Sequence, residues 1–213
     1  MMKYKFYIDT HKGATFFYIL SLIYFYNAFD NILAMVYLAI HGSYGFFWVL
    51  KSKIFPDKTW EVKVPLYYGF VIWFGLSLYW IAPWIITSEF FYDISTKSNI
   101  NTMITIGIFL YVLGVFLHFT SDMQKFTQLK NKPGHLIDDG LFKRCRNINY
   151  FGELLIYSSF ALLSMHWIPW AILLLFIILV WAPNMIRKDK SLAKYDNFED
   201  YKKGSKLFIP FIY

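Results

Sequence analysis

Cysteine and charge are both scarce in this chain, and each scarcity excludes a class of protein. The single cysteine, Cys145, has no second thiol in the sequence to pair with, so the fold is not an internal disulfide scaffold. Charged residues are only 16% of the 213 residues, whereas a soluble domain carries about 25%. With 57% hydrophobic and 23% aromatic residues, the composition indicates a membrane protein.

The standard motifs of soluble nucleotide-binding and metal-binding proteins are also missing. The sequence contains neither G-x-G-x-x-G nor G-x-x-x-x-G-K-[ST]. Its five histidines are scattered, so we predict no metal site. The net charge of +7 does not predict nucleic-acid binding, because the basic residues alternate with apolar spans instead of forming one compact face.

Apolar runs long enough to suggest membrane helices recur along the whole chain. Short turns separate the first two and the last two, so each of these pairs predicts a tight helical hairpin. The polar tail from about Asp189 predicts a short interfacial helix. The predicted fold is an all-α integral membrane bundle of about six transmembrane helices, in a single membrane domain over residues 1–213. The predicted spans are 14–29, 31–50, 65–87, 100–120, 150–166 and 167–186.

Lysine and arginine are concentrated in alternate loops. They occupy the N-terminus, residues 51–63, residues 122–146 and the C-terminal tail, whereas the turns at 27–31 and 166–169 contain none. In the 88–98 loop, Glu89 and Asp93 oppose Lys97. By the positive-inside rule both termini are predicted to be cytosolic, in the endoplasmic reticulum of a eukaryote or the inner membrane of a bacterium.

Polar residues form three clusters, each at the predicted cytosolic end of one of the last three spans. The first closes the fourth span and contains His118 and Asp122, which share a helix face. The third closes the sixth span over residues 184–191. If these spans pack together, the three clusters surround one pocket.

The second cluster is the stretch 140–153, which runs from a basic loop into an apolar span. If the helix starts at about residue 146, four polar residues share one face, namely Arg146, Asn149, Tyr150 and Glu153. Ionisable groups inside a membrane span are costly and by default functional. The alternative is a helix cap with an interhelical polar network that holds the bundle together.

The residue types in these clusters suit a nucleotide-like cofactor. Cations bind phosphates, carboxylates accept hydrogen bonds from ribose hydroxyls, and asparagine pairs with a carboxamide or a base edge. The start of the fifth helix adds backbone N–H groups that favour an anion.

Four motifs of the second half resemble the C-terminal domain of the steroid 5-alpha-reductases. They are Gly140-Leu-Phe, Asn149-Tyr-Phe-Gly-Glu153, Phe198-Glu-Asp-Tyr-Lys-Lys and Phe208-Ile-Pro-Phe-Ile-Tyr. Three further stretches look closer to bacterial and protist relatives of unassigned substrate, namely residues 41–48, 55–60 and 188–195. The resemblance covers residues 118–213 well and the first half loosely.

The resemblance implies a membrane reductase that transfers a hydride from NADPH to a C=C bond conjugated to a carbonyl. Residues 118–213 would be the cofactor side, and residues 1–117 would receive a lipophilic, steroid-like or other lipid-like substrate from the bilayer. Asp122, Asn149 and Glu153 match cofactor contacts of the family, and Tyr201 matches a further family position. The complete set predicted to bind the cofactor is His118, Asp122, Arg146, Asn149, Tyr150, Glu153, Arg187, Lys188, Asp189 and Tyr201.

Two details of this resemblance depart from the family pattern. The reductases usually carry asparagine where His118 stands. In the steroid enzymes a glutamate and a tyrosine from the N-terminal half polarise the ketone, and the nearest candidates here are Tyr44 and His41. Because Gly42 and Gly45 lie beside them, close helix packing is the alternative role for this stretch.

Two other function classes stay open. Membrane methyltransferases of isoprenylcysteine or phospholipid amines share the late-span architecture and an Arg-His-Pro-x-Tyr-x-Gly motif, but the run 146–152 lacks the His-Pro pair. The extra cations also suit the phosphates of NADPH better than S-adenosylmethionine, which has none. The third class is a non-catalytic membrane scaffold in contact with membrane lipids. The sequence indicates neither the exact substrate nor the oligomeric state.

Overall fold

The computed structural model describes residues 1–91 and 99–212. Within them the α-helices are α1 (Tyr4–Phe25), α2 (Ile32–Ile54), α3 (Leu66–Ser77), α4 (Ile81–Ser88), α5 (Ile100–Asn131), α6 (Ile148–Leu163), α7 (Trp167–Phe176), α8 (Ala182–Leu192) and α9 (Phe198–Gly204). A two-residue antiparallel pair, β1 (Met2–Lys3) with β2 (Lys63–Val64), is the sheet of this described part. Residues 92–98, with Asp93 and Lys97 of the predicted 88–98 loop, lie outside it, as does Tyr213.

The predicted class of fold is confirmed: the protein is a helical integral membrane protein. Among the described residues, four helical segments are long and apolar enough to cross a bilayer, namely α2, the segment Leu66–Ser88, α5 and the segment Trp167–Leu192. Each of the segments Leu66–Ser88 and Trp167–Leu192 consists of two α-helices. A 3₁₀ turn at Leu78–Trp80 joins α3 to α4, and a π turn at Ile177–Trp181 joins α7 to α8. α1 and the shorter apolar α6 correspond to the other two predicted spans.

The helix boundaries differ most from the predicted spans where polar residues are buried. α1 begins at Tyr4 instead of residue 14, and α5 continues to Asn131 instead of residue 120. Both predicted hairpin turns are short: residues 26–31 join α1 to α2, and residues 164–166 join α6 to α7. Asn27 and Met165 adopt positive φ values of 50° and 49°, the left-handed conformation that commonly ends a helix.

The chain folds into two compact units, each made of two separate stretches of sequence. Unit 1 comprises Met1–Phe109 and Ser158–Ile172, and unit 2 comprises Leu110–Tyr157 and Leu173–Tyr213. The single-domain organisation and its division at residue 118 remain predictions.

Unit 1 is built on α1, which packs against α2, α3 and α4. Two glycines allow the close approach: a Cβ on Gly45 would lie 2.2 Å from the Lys12 carbonyl oxygen, and one on Gly69 would lie 2.2 Å from the Tyr7 ring. Polar groups of α1 hold the neighbouring helices as well. Trp73 Nε1 donates to Thr10 Oγ1 at 3.2 Å, and Trp80 Nε1 donates to Thr15 Oγ1 at 3.0 Å.

Unit 2 is organised around the crossing of α5 with α6. A Cβ on Gly152 would lie 2.5 Å from the His118 backbone nitrogen, and one on Gly114 would lie 2.7 Å from the Gly152 carbonyl oxygen. Both helices therefore approach backbone to backbone, which is the arrangement that small residues permit between membrane helices. This contact gives Gly152 of the Asn149–Glu153 motif a packing role.

Candidate functional site

Arg146 lies in the turn before α6, because that helix begins at Ile148. The prediction that Arg146 belongs to a four-residue polar face of this helix is therefore wrong. The residue is only 6% exposed. Its Nε lies 3.1 Å from each carboxylate oxygen of Asp189, and its Nη2 lies 3.0 Å from Asp189 Oδ2.

The other side of the Arg146 guanidinium is engaged as well. Nη1 donates to the Ser205 carbonyl oxygen at 2.7 Å and to Ser205 Oγ at 3.1 Å. Arg146 and Asp189 are both predicted cofactor ligands, and the structure brings them together in a bidentate pair, a geometry with strong directional preference. The pair holds the turn before α6 against α8 and the tail.

The tail after α9 pairs with the loop 140–147 like a short strand. Cys145 and Lys206 form a parallel bridge, in which Arg146 N donates to Lys206 O at 2.9 Å and Lys206 N donates to Arg144 O at 3.0 Å. The Asn147 side chain donates to Leu207 O at 2.8 Å. The polar backbone groups of an otherwise irregular loop are thereby satisfied.

Two buried side chains, Tyr201 and Cys145, add hydrogen bonds that join this loop to α9 and to the tail. The Tyr201 hydroxyl donates to Phe142 O at 2.8 Å, and burial raises the pKa of Tyr201 well above its ordinary value. The Cys145 thiol donates to Phe208 O at 3.1 Å, and burial also raises the pKa of that thiol, which favours an inert role. Tyr201, a predicted cofactor ligand, is thus placed under the loop with its hydroxyl bonded to backbone.

The start of α6 carries the most ligand-like feature of unit 2. Asn149 Oδ1 is buried and has no hydrogen-bond partner among the described residues. A buried carbonyl oxygen left in this state costs about 1–3 kcal/mol, which a donor from a ligand or a water would recover. Glu153 lies one turn further along the same helix face and is half-buried.

His118 and Asp122 of α5 border the same position. His118 Nδ1 lies 3.1 Å from Asn149 O, and His118 Nε2 lies 3.8 Å from Asp122 Oδ2. Both residues are buried, at 3% and 8% exposure. The structure therefore brings the first and second predicted clusters together within unit 2.

The third cluster reaches this position through Lys188. Its Nζ donates to Arg146 O at 2.6 Å, and its charge interacts with those of Asp122, Asp189 and Lys125. Tyr150 lies against Trp181, with ring centroids 5.8 Å apart, beside the π turn. Arg187 is exposed and donates to Asn184 Oδ1 at 2.5 Å, so its guanidinium is the most accessible of the predicted cations.

This donor set fits an anionic, amide-bearing ligand. It contains cations for phosphate groups, carboxylates for hydroxyl groups and a carboxamide oxygen that lacks a donor. Among residues 1–91 and 99–212, no group of three or more His, Cys, Asp and Glu side chains lies together as a metal site.

The two predicted catalytic residues lie in unit 1, on one face of α2. His41 is 2% exposed, and its Nδ1 lies 3.1 Å from the Tyr37 hydroxyl while its ring stacks on Phe160 with centroids 4.1 Å apart. Tyr44, three residues further along the helix, is fully buried. The ammonium of Lys12 lies 4.5 Å from the centroid of the Tyr44 ring.

Sequence reasoning assigned Lys12 to the N-terminal loop charges, whereas the structure buries it at 4% exposure. A helical period counted from Tyr4 would have predicted that Lys12 is buried. Ile8, Lys12, Thr15, Ile19 and Ile23 recur every three to four residues and are all buried. Lysine at this depth is uncommon unless it has a partner.

A family model described as 3-oxo-5-alpha-steroid 4-dehydrogenase matches residues 67–213. Among curated proteins, the chain is 31% identical over 112 residues to 3-oxo-5-alpha-steroid 4-dehydrogenase 1 of Rattus norvegicus. It is 30% identical over 113 residues to 3-oxo-5-alpha-steroid 4-dehydrogenase 2 of Sus scrofa. It is also 26% identical over 121 residues to an uncharacterized protein of Schizosaccharomyces pombe.

These alignments cover 50–56% of this chain and 40–42% of the length of the relatives. No solved structure matches. The family match includes the whole cluster from His118 to Lys188, and it begins after α2, so Lys12, His41 and Tyr44 lie outside it. On this match over most of its length, the chain belongs to the 3-oxo-5-alpha-steroid 4-dehydrogenase family of membrane proteins.

Proposed function

We propose that the protein is a membrane reductase that uses NADPH to reduce a C=C bond conjugated to a carbonyl in a lipophilic, steroid-like substrate. Membership of the family and the names of the rat and pig relatives support this reaction class. The observation that carries the cofactor assignment is the buried Asn149 Oδ1 without a donor, on a residue whose backbone oxygen meets His118, the neighbour of Asp122.

Within this proposal the predicted cofactor residues have two different tasks. Asn149, Glu153, Asp122, His118 and Lys188 contact the cofactor at the start of α6. Tyr150 and the exposed Arg187 border it and supply an aromatic face and a phosphate-binding cation.

Arg146, Asp189 and Tyr201 act indirectly, without contacting the cofactor. Their hydrogen bonds to each other, to Ser205 and to Phe142 fix the loop that precedes α6. They position the contact residues and keep the first N–H groups of α6 oriented toward an anion.

NADPH supplies the hydride when it is bound, and the protein supplies position and electrostatics. The candidates for polarising the substrate carbonyl are Tyr44 and His41 of α2, and the contact between Tyr37 and His41 fixes that turn of the helix. Such donors act most strongly when they are held in place before the charge develops. The apolar faces of the helices give a lipophilic substrate access from the bilayer. Both termini and the cofactor side face the cytosol in this proposal, in accordance with the loop charges.

The test is cofactor binding by the detergent-purified chain, with NADPH, NADH and S-adenosylmethionine titrated in parallel. We expect NADPH to bind more tightly than NADH, because the additional phosphate of NADPH meets the cations of this cluster. Asn149→Ala should weaken NADPH binding about tenfold or more, the effect of one lost hydrogen bond to a buried group. The matched control is Asn131→Ala at the exposed end of α5, which should bind like the wild type.

Two results would contradict the proposal. Binding of S-adenosylmethionine alone would favour the methyltransferase class. Binding of none of the three ligands by a folded protein would favour the membrane scaffold.

A further inference from the structure

The tail after α9 ends in two exposed apolar side chains. Phe211 and Ile212 are 78% and 76% exposed, although the tail is held just before them, where Phe208 is buried and packs against the Trp181 ring. Transfer of large apolar side chains from water to the boundary between lipid headgroups and acyl chains is favourable. Phe211 and Ile212, called the tip below, are therefore suited to contact with a membrane surface.

The backbone presents the tip by a strained turn. Ile212 N donates to Ile209 O at 3.2 Å, so Pro210 and Phe211 occupy the centre of the turn. Phe211 has a φ of 67°, in the left-handed region that a bulky residue rarely adopts. Strain of this kind is most frequent at functional sites and ligand contacts. It is a second feature, independent of exposure, that distinguishes the tip from an ordinary end of a chain.

Four exposed cations lie near the tip and have no carboxylate partner in the part of the chain that the structure describes. They are called the basic surface below and are Lys143, Arg144, Lys202 and Lys206. Backbone hydrogen bonds bring them together, since Lys206 N donates to Arg144 O at 3.0 Å and Arg146 Nη1 donates to Lys202 O at 3.4 Å. The basic surface is thus built on the pairing of the tail with the loop 140–147.

The acidic residues of α9 offset little of this charge. Asp200 pairs with Lys203 at 3.0 Å, which leaves Glu199 as the other carboxylate of this helix. Four cations against one carboxylate give the surface a clear positive excess, and such a surface attracts an anionic partner.

Both sides of the basic surface are continuous with membrane helices. The loop 140–147 leads directly into α6, and the tail follows α8 and α9. The segment Trp167–Leu192 has 26 residues, whereas about 20 cross the hydrocarbon core, so its polar end lies among the headgroups. At that depth, the chemistry that complements cations beside apolar side chains is an anionic phospholipid.

We propose that the tip and the basic surface form a docking site for anionic phospholipids of the adjoining leaflet. The two tip side chains enter the boundary between headgroups and acyl chains, and the four cations bind headgroup phosphates and carboxylates. Docking stabilises the pairing of the tail with the loop 140–147, because the tip must leave the membrane before the bridge between Cys145 and Lys206 can open. This inference does not depend on the proposed reductase function.

The test is hydrogen–deuterium exchange of the full chain in lipid nanodiscs, followed by mass spectrometry. The informative amides are Arg146 N and Lys206 N, which donate the two hydrogen bonds of the bridge. Nanodiscs of phosphatidylcholine alone are compared with nanodiscs in which roughly a third of the lipid is phosphatidylserine. Exchange should slow about tenfold or more with phosphatidylserine, since a partner that binds the closed state lowers the population of the open state.

Salt and a set of charge variants test the electrostatic part. Salt at about 1 M should remove most of the slowing, because it screens exposed charges. Glutamine at all four positions of the basic surface should also remove most of it. The matched control makes the same change in net charge at four exposed lysines elsewhere and should exchange like the wild type, namely Lys53, Lys58, Lys130 and Lys132.

A substitution at the tip tests the apolar part. Phe211→Asn removes the ring but keeps a residue that tolerates the left-handed conformation. It should speed exchange in phosphatidylserine nanodiscs about threefold or more, the effect of one apolar side chain that no longer enters the interface. Its melting temperature in detergent should not fall, because the fold loses no buried contact and the turn loses strain.

A fluorophore attached to Ile212→Cys reports the position of the tip. In phosphatidylserine nanodiscs it should be quenched by lipids that carry a spin label near the headgroup and be protected from iodide in solution. The wild type is the labelling control, because its single thiol, Cys145, is buried and bonded to Phe208 O.

Four results would overturn the proposal. Equal exchange in the two kinds of nanodisc would show that anionic lipid does not bind, and equal effects of the two glutamine sets would show that net charge alone acts. Unchanged exchange of Phe211→Asn, or ready quenching by iodide, would show that the tip stays in water. Protection that rises with protein concentration in detergent without lipid would assign the surface to a second copy of the chain.

Discussion

Arg146 in unit 2 and Lys12 in unit 1 are both buried cations, and they are held in opposite ways. Arg146 directs its guanidinium to the Asp189 carboxylate and to Ser205, whereas the Lys12 ammonium lies over the faces of Tyr44 and Trp48. A bidentate carboxylate pair is strong and directional, whereas a cation over a ring face is held with less directional preference. The difference indicates that Arg146 fixes the loop before α6 through directional hydrogen bonds, whereas the ring contacts of Lys12 depend on the packing of α1 against α2.

The largest expected effect follows from breaking the Arg146 pair. Arg146→Met should lower the free energy of unfolding by about 3–5 kcal/mol, because it leaves Asp189 and the Ser205 carbonyl without their donor. Arg187→Met is the matched control at an exposed arginine and should change stability by less than about 0.5 kcal/mol. Thermal unfolding in detergent measures both, and equal losses for the two variants would contradict a structural role specific to Arg146.

The close helix crossings at Gly152 in unit 2 and at Gly45 in unit 1 should have the next largest effects. Alanine at Gly152 or Gly45 places a methyl group 2.5 Å from His118 N or 2.2 Å from Lys12 O, so each variant should lose about 1–3 kcal/mol of stability. Gly75→Ala is the control, since a Cβ at that position has no heavy atom within 4 Å. It should be neutral or gain up to about 1 kcal/mol of helix propensity. Unchanged stability of Gly45→Ala would argue against the close packing of α1 on α2 at Lys12.

Removing the Tyr201 hydroxyl should have a smaller effect that depends on pH. Tyr201→Phe loses the bond to Phe142 O, which is worth about 1 kcal/mol near neutral pH. Burial raises the pKa of Tyr201 in the folded state. Its contribution is therefore complete below the unfolded value of about 10 and is lost as the pH rises toward the folded value.

The wild type should consequently lose more stability between pH 8 and pH 10.5 than Tyr201→Phe does. The difference between the two unfolding curves cancels the titration of the other tyrosines. Parallel curves across this range would contradict the buried, protonated state of Tyr201.

The smallest expected change in stability is that of Lys12→Met. A flexible apolar side chain of similar length replaces an ammonium whose desolvation cost offsets much of the attraction of its partners, so the change should be less than about 1 kcal/mol. The comparison with Arg146 therefore predicts a Lys12 variant that remains stable. A loss of stability as large as that of Arg146→Met, measured by the same unfolding assay, would show that the two cations contribute equally to the stability of the fold.

The sequence was sufficient to predict the helices that depend on local composition. Apolar runs predicted six spans, and the structure has a helical segment for each of them. The starts of α1 and α6 were not predictable in the same way. Lys5 and Asp9 resemble loop residues until Glu61 and Ser52, more than forty residues away, provide their partners.

The same distinction between local and distant contacts explains which residues of the candidate site were predictable. His118, Asp122 and Asn149 were predicted to meet because spacing along a helix fixes which residues share a face. Arg146 was placed on the wrong side of a helix start, because its partners Asp189 and Ser205 come from distant parts of the chain. Lys12 was overlooked because a lysine near a terminus is usually a topology charge, and only the packing of α1 on α2 buries it.

The pairing of the tail with the loop before α6 has a consequence for biosynthesis. Arg146 and Ser205 are 59 residues apart, so at about 5–20 residues per second the ribosome delivers the second partner roughly 3–12 s after the first. During that interval α6 enters the membrane while the Arg146 guanidinium depends on water or lipid headgroups for its hydrogen bonds. Insertion and closure of unit 2 are thus separate events in time, and premature termination before Ser205 would leave a membrane-inserted chain exposed to quality-control proteolysis.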